Sequence, residues 1–349
     1  MKIITCASYY GSGSSALTDL VAEYSNVKDL SNFEFRFLHD IDGVRDLEYH
    51  LVENHNRHNS GHALKRFARL SHFNEGNFMS KRYSRFFDGS EYRDITAEYI
   101  SNLTDFQVSG WWFYDLYDKG TKVYYLYQLL NHFYRKIPGQ PFRILKNEQT
   151  LCAHPSEEAF LKYTKEYVSS LMKALNKENK EYLEIDQILP SSNIKQVMKY
   201  FEDEIFVFVV DRDPRDVYLS EKYCWKEGLC PTDPEMFCNW FLYCRKAGEG
   251  KIEENEHIVK IQFEDLIYKY DETVERVEKM TGLKAESHNR QFLKMNPQRS
   301  VVNTRMWERF SDDKGIKIIE ERLKDYLYDY SNVDINNVKG IKTEESSIF

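Results

Sequence analysis

An α/β fold with a central parallel sheet flanked by helices is predicted by three features of the sequence. Ile205 to Val210 is an unbroken apolar run, as expected for a strand covered on both faces of a parallel sheet. Lys2 to Ala7 is a second β-like run, which passes through the short loop Ser8 to Ser15 into a helical pattern of Ala16, Leu17, Leu20, Val21 and Tyr24. His257 to Phe263 is a third strand, followed by an amphipathic helix from Thr273 to Met280 that stops near Gly282. With 349 residues the chain can bury a full core. A single domain is expected over 1–335, with an aromatic-rich, mostly helical insertion at about 50–140 and a loose, weakly apolar tail over 336–349.

The remaining elements follow in order. Phe33 to Asp40 alternates apolar residues with Glu34, Arg36 and a terminal His39-Asp40, the pattern of a strand with one fully buried face. Between residues 90 and 140 lies a surplus of rings, including Trp111, Trp112, Phe113, Tyr114, Tyr117, Tyr125 and Phe133, with Lys122 to Arg135 helical in pattern. Core packing accounts for most of these rings, and an acceptor cleft is the second reading. Phe142 to Lys146 reads as a strand whose final lysine would reach the carboxyl end of a parallel sheet. Thr164 to Leu175 and Asn193 to Phe201 read as helices on either side of Tyr182 to Leu189, and Ile316 to Tyr328 as the last helix.

Composition narrows the function. The balance of 48 Lys+Arg against 56 Asp+Glu gives a net charge of -8, which offers a nucleic-acid partner no bulk attraction. An anionic ligand must be held by a local cluster. Met1 and Lys2 lead directly into Ile3 and Ile4, and no run approaches the length of a membrane span, so a cytoplasmic protein without such a span is expected. Cys224, Cys230, Cys238 and Cys244 lack the paired spacing of zinc sites, and reduced thiols are expected. His39, His50, His55, His58 and His62 are dense but form no HxH or HExxH spacing, so no metal is expected.

Two stretches carry the chemistry. In Ser8 to Ser15, Gly11-Ser12-Gly13-Ser14-Ser15 can turn successive amides and hydroxyls toward a phosphate at a helix N-terminus. A plain turn that needs two glycines is the alternative. The loop lacks the lysine of GxxxxGK[ST], which disfavours an ATPase or GTPase. The second stretch is Asp211-Arg212-Asp213-Pro214-Arg215-Asp216, which ends the Ile205 strand in charge. Pro214 suits the first position of a helix and Asp216 its first turn. Arg212 and Ser220 thereby flank the carboxyl end of a central strand, where open α/β sheets bind ligands.

Together these stretches resemble the sulfotransferases that use 3′-phosphoadenylyl sulfate. Ser12-Gly13-Ser14-Ser15 matches the last four positions of that family's [KR]-S-G-[TS]-[TS] loop, which contacts the 5′-phosphosulfate. Arg212 and Ser220 match its R-[DN]-P-[RK]-D motif with a serine eight residues after the arginine, which holds the 3′-phosphate. Gln262 to Leu266 is a weaker echo of the family's YEDL segment, and Arg299 falls where its late loop meets the 3′-phosphate. Gly11 stands where the family has Lys or Arg, and Lys146, Lys65 or Arg66 are the candidates to replace that cation. The resemblance implies a P-loop-type three-layer fold and transfer of a sulfuryl group to a hydroxyl, as of a carbohydrate or glycolipid, with Glu34 or His39 as the base and Asp40 as a further rival. No metal would be needed. A small-molecule or nucleotide kinase and a non-catalytic nucleotide-binding module are the alternatives.

Overall fold

The computed structural model describes residues 1–138, 148–246 and 252–342. The expected strand Phe142 to Lys146 lies outside them. Strands form at β1 (Lys2–Cys6), β2 (Val27–Lys28), β3 (Phe106–Ser109), β4 (Gln149–Cys152), β5 (Tyr182–Glu184), β6 (Glu204–Asp211) and β7 (Ile258–Gln262). The chain divides into two compact units, Met1–Arg36 with Asn176–Phe349, and Phe37–Leu175. The second unit is therefore inserted into the first, with wider limits than the expected 50–140.

The first unit is an α/β structure around a five-stranded parallel sheet in the order β2-β5-β1-β6-β7, flanked by helices. Its centre is set by β6, whose residues from Ile205 to Val210 are all buried, so side chains on both pleated faces find apolar cover. The register pairs Lys2 with Glu204 and runs to Cys6 with Phe208. From β1 the chain moves outward to β2, returns through β5, and crosses to β6 and β7. The direction of winding thus reverses beside β1, which is the switch point where the carboxyl ends of such sheets leave a crevice. One face packs Leu17 and Leu20 of the helix Ser14–Val21 against Phe208, Val210, Ile261 and Leu266. A second cluster gathers Val217, Leu219, Phe237, Phe241, Met306 and Ile319.

One expectation is corrected here. Phe33 to Asp40 is not a strand: Glu34 makes an isolated parallel bridge to Asp186, after which the carbonyls of Phe37 and Leu38 accept from Val44 and Arg45, folding the chain back before a ladder can grow. Phe35 and Phe37 are nonetheless buried as the alternation requires. The sheet's outer strand is instead Val27–Lys28, too short to carry a periodic signal. Of the expected tail, 343–349 lie outside the described residues; within 336–342 the Asn296 amide donates to the Ile341 carbonyl at 2.8 Å and Val338 packs on the core.

In the second unit the helices Arg57–Glu75, Glu91–Leu103 and Glu157–Leu175 share a core of Phe67, Tyr99 and Tyr167, the last two stacked at 4.3 Å. β3 and β4 pair as an antiparallel ribbon. Gly61 lets that first helix approach β4, since a β-carbon there would sit 2.0 Å from the Leu151 carbonyl oxygen. The aromatic surplus departs from expectation: Tyr117, Tyr125, Phe133 and Tyr134 are exposed rather than core. All six cysteines are free thiols. Among the described residues no helix is long and apolar enough to cross a membrane.

Candidate functional site

The loop after β1 is shaped by two left-handed glycines, Gly11 at φ 73 and Gly13 at φ 77. Gly13 precedes the helix Ser14–Val21, which begins with no side-chain cap bond; Ala16 donates to the Gly13 carbonyl at 3.0 Å, so Ser14 and Ser15 are the first-turn amides left for a ligand. A β-carbon at Gly13 would lie 2.6 Å from the Phe263 ring; only glycine allows this approach. Ser8 ties the loop to the sheet, accepting from the Val210 amide at 3.1 Å. Ser12 is buried, and its hydroxyl oxygen has no hydrogen-bond partner. A buried hydroxyl of that kind beside open helix amides suits an anion. The glycine that replaces the resembled family's cation also has a physical reason. A side chain at Gly11 would have to leave a left-handed backbone with its β-carbon 3.0 Å from Val217 and 3.2 Å from Trp225.

Arg212 reaches this loop from the end of β6. Its guanidinium donates to the Gly11 carbonyl at 3.3 Å and to the Ser220 hydroxyl at 3.1 Å, and also to the Asn303 carbonyl. The two motif residues are thus brought together as their spacing suggests. Both are also closed off, with Arg212 only 1% exposed and Ser220 fully buried. Burial pushes the Arg212 pKa down, against the pull of Asp216, Glu264 and Asp213. These acids build the turn. Asp213 caps the helix Pro214–Leu219 by accepting from the Arg215 amide, and it also takes the Arg215 side chain at 2.7 Å. Asp216 accepts the amides of Arg305 at 3.0 Å and Met306 at 2.7 Å. Its pKa is pushed up to about 7, by burial first and then by Asp213, with Arg212 opposing.

The weaker echo and the late loop close the same knot. Glu264 accepts the Asp213 amide at 3.0 Å, Phe263 lies under the Arg212 guanidinium at 5.2 Å, and Trp307 stacks on Arg215 at 3.8 Å. Arg299 itself turns aside, on the short helix Pro297–Ser300, and donates to the Lys294 carbonyl. A cavity of about 220 Å³ opens beside the last residues of β6 and β7, lined by Tyr9, Asp211, Arg245, Lys260 and Gln262. That is below the roughly 300–1,000 Å³ of ordinary ligand pockets.

Of the proposed bases, Glu34 is exposed in the first unit and pairs with Arg36 at 3.7 Å. His39 and Asp40 fall in the second unit, after Phe37. Lys65 and Arg66 fall there too, and each is already matched: Lys65 with Asp115 at 2.8 Å and Glu148 at 2.7 Å, Arg66 with Asp42 at 2.5 Å. Lys146 lies outside the described residues. A pair of acids to which the sequence pattern assigned no role, Glu184 and Asp186, is buried at and just beyond the carboxyl end of β5. Asp186 accepts the Phe35 amide at 2.9 Å through its carbonyl, while one carboxyl oxygen, Oδ1, has no partner. Burial and the nearby Glu34 push its pKa up to about 8. Burial, then Asp186, raises Glu184 well above the usual carboxylate range, and both acids add to the rise at the buried Cys6 thiol. Their signal is visible in the sequence: two acids two apart on one face of an otherwise apolar strand, between Leu183, Ile185 and Ile188.

No family model and no curated protein matches the chain. Among solved structures it is similar to the sulfotransferase STF9 from Mycobacterium avium, at 11% sequence identity and a TM-score of 0.35, over 93% of this chain and 76% of that one. That likeness is too loose to assign a role to any residue, and the site stands on its own geometry.

Proposed function

We propose that the chain transfers a sulfuryl group from 3′-phosphoadenylyl sulfate to a hydroxyl of a carbohydrate or glycolipid. The observation that carries this reading is the meeting of two motifs some two hundred residues apart in sequence. Arg212 bonds both its motif partner Ser220 and the carbonyl of Gly11 in the serine-rich loop. The Ser12 amide is held by the Tyr9 carbonyl at 3.2 Å, so the amides of Gly13, Ser14 and Ser15, with the Ser12 hydroxyl, would hold the phosphosulfate end of the donor, which needs several donors converging from a loop. Arg212 would supply the positive charge next to the loop that the resembled family places at position 11. By analogy with phosphoryl transfer the transition state is loose and in line, so positioning and charge neutralisation dominate and a metal is not required. Glu34, exposed to solvent, would accept the hydroxyl proton, with His39 as its rival.

The burial of Arg212 and Ser220 favours a second reading, a nucleotide-binding module in which the Arg-Asp-Pro-Arg-Asp turn serves the fold alone. Thermal unfolding in adenosine 3′,5′-bisphosphate and, separately, ATP tests both. The first reading expects stabilisation by the bisphosphate, about 2.7 kcal/mol at a hundred times its Kd, and none by ATP. Absence of any bisphosphate effect overturns the first reading, stabilisation by ATP alone leaves the module, and no effect of either nucleotide overturns both. Stabilisation without movement of radiolabelled sulfate to glycans, phenols or lipids leaves the module.

A further inference from the structure

The helix Thr121–Tyr134 contains no buried residue. Leu126 is 53% exposed, Leu129 54%, Phe133 57% and Ile137 48%, and with Leu130 they fall on one stripe at helical spacing. Gln128, Asn131 and Arg135 take the other side. Tyr117 and Phe113, on the short helix before it, extend the exposed apolar surface. A fourteen-residue helix is marginal in water without a packed face, and a contiguous apolar stripe of this kind marks an interaction surface.

The charges say what covers it. From Lys119 to Pro138 there are four cations, Lys119, Lys122, Arg135 and Lys136, and no Asp or Glu, in a chain of net charge -8. The cations stand at both ends of the stripe. Pairing with a second copy would set like charges together whether the two helices ran parallel or antiparallel. An anionic bilayer surface instead complements both ends, while the leucines and aromatic rings enter the boundary between headgroups and acyl chains. At about 1.5 Å per residue the helix is some 21 Å long, short of the roughly 30 Å hydrocarbon layer, so it would lie in the interface rather than cross it.

We propose that Thr121–Tyr134 docks the protein on an anionic lipid surface, with Leu126, Leu129, Leu130 and Phe133 inserted and the four flanking cations on the headgroups. This does not depend on the sulfuryl-transfer reading. The test is co-sedimentation of the full chain with phosphatidylcholine vesicles, with and without about 30 mol% phosphatidylserine, at low and high salt. Binding is expected to the anionic vesicles, to weaken with salt, and to fall at least about tenfold in the triple variant Leu126→Gln, Leu129→Gln, Phe133→Gln and in Lys122→Glu, Arg135→Glu, Lys136→Glu. Because these positions are not buried, both variants should keep the wild-type melting temperature, which is measured alongside. Wild-type protein that stays in the supernatant overturns the proposal, as does equal binding by either variant. A dimer seen by light scattering that the leucine variant dissociates overturns it in favour of a copy-to-copy interface.

Discussion

Two groups of buried carboxylates stand at the carboxyl side of the same sheet, and among the described residues only one of them has cations in contact. Asp213, Asp216 and Glu264 surround Arg212 and Arg215, and each accepts a backbone amide as well. Among the described residues Glu184 and Asp186, across β1, form no close ion pair, and only the more distant Lys294 opposes the charge of Glu184. A buried acid that is paired and hydrogen-bonded holds structure; one left without a counter-charge destabilises the fold and is a candidate for function. The difference separates what the Arg-Asp-Pro-Arg-Asp motif does for the fold from what the site does for a ligand.

The largest break in this contrast is Arg212→Ala. It leaves three buried acids facing one another around a vacant volume, and the expected loss is about 3–5 kcal/mol in urea unfolding, the scale for removing one partner of a buried ion pair. Bisphosphate titration of the variant under stabilising conditions then divides its roles. Loss of binding by folded protein assigns Arg212 to the ligand, and retained affinity assigns it to the fold alone. Gly13→Ala comes next, at about 2 kcal/mol or more, from a strained left-handed backbone and a 2.6 Å clash with the Phe263 ring. Since Phe263 also supports Arg212, this variant should weaken bisphosphate binding along with stability.

Asp186→Asn should move stability the other way. The folded pKa of Asp186 is raised to about 8, from about 3.9 in an unfolded chain, so the wild type has this contribution in full below about pH 4 and loses it as pH rises through 8. The variant does not titrate there. Its stability relative to wild type should therefore climb between pH 4 and 8 and end about 1–3 kcal/mol higher, read from urea midpoints across that range. A flat difference would mean that Asp186 is charged and compensated in the folded protein, and the contrast between the two acid groups would collapse.

How far the sequence revealed this follows from the same physics. β6 was legible because a strand buried on both faces writes a continuous apolar run, and β7, whose Lys260 and Gln262 are exposed, was legible from Ile258, Val259 and Ile261; Arg212 and Ser220, eight residues apart, meet in the fold. Burial of that pair was not legible, since it depends on Asn303 and Met306 closing over it from far along the chain. Phe33 to Asp40 alternated like a strand, yet its backbone found one bridge at Glu34 because β5 ends at Glu184. Local pattern can mark the buried side chains there without supplying a pairing partner. Glu184 and Asp186 were visible as letters, but their cost comes from being enclosed, which only the fold decides.

The smallest stability effect is expected at Glu34, and for that reason it separates chemistry from structure most cleanly. Its pair with Arg36 is exposed and 3.7 Å long, and loss of its repulsion on Asp186 acts in the opposite direction, so Glu34→Gln should change stability by no more than about 0.5 kcal/mol at about pH 6, where Asp186 is protonated. The glutamine keeps the size and the hydrogen-bonding edge of the side chain but cannot take a proton. If Glu34 accepts the hydroxyl proton, sulfuryl transfer should fall by about 10²–10⁴-fold while bisphosphate affinity holds, because only the acceptor side of the reaction is touched. The unchanged midpoint excludes misfolding as the cause, and the unchanged affinity excludes damage to the loop. Full activity in Glu34→Gln would move the base to His39 or Asp40, and would leave Glu34 as one more charged residue beside the bridge to Asp186.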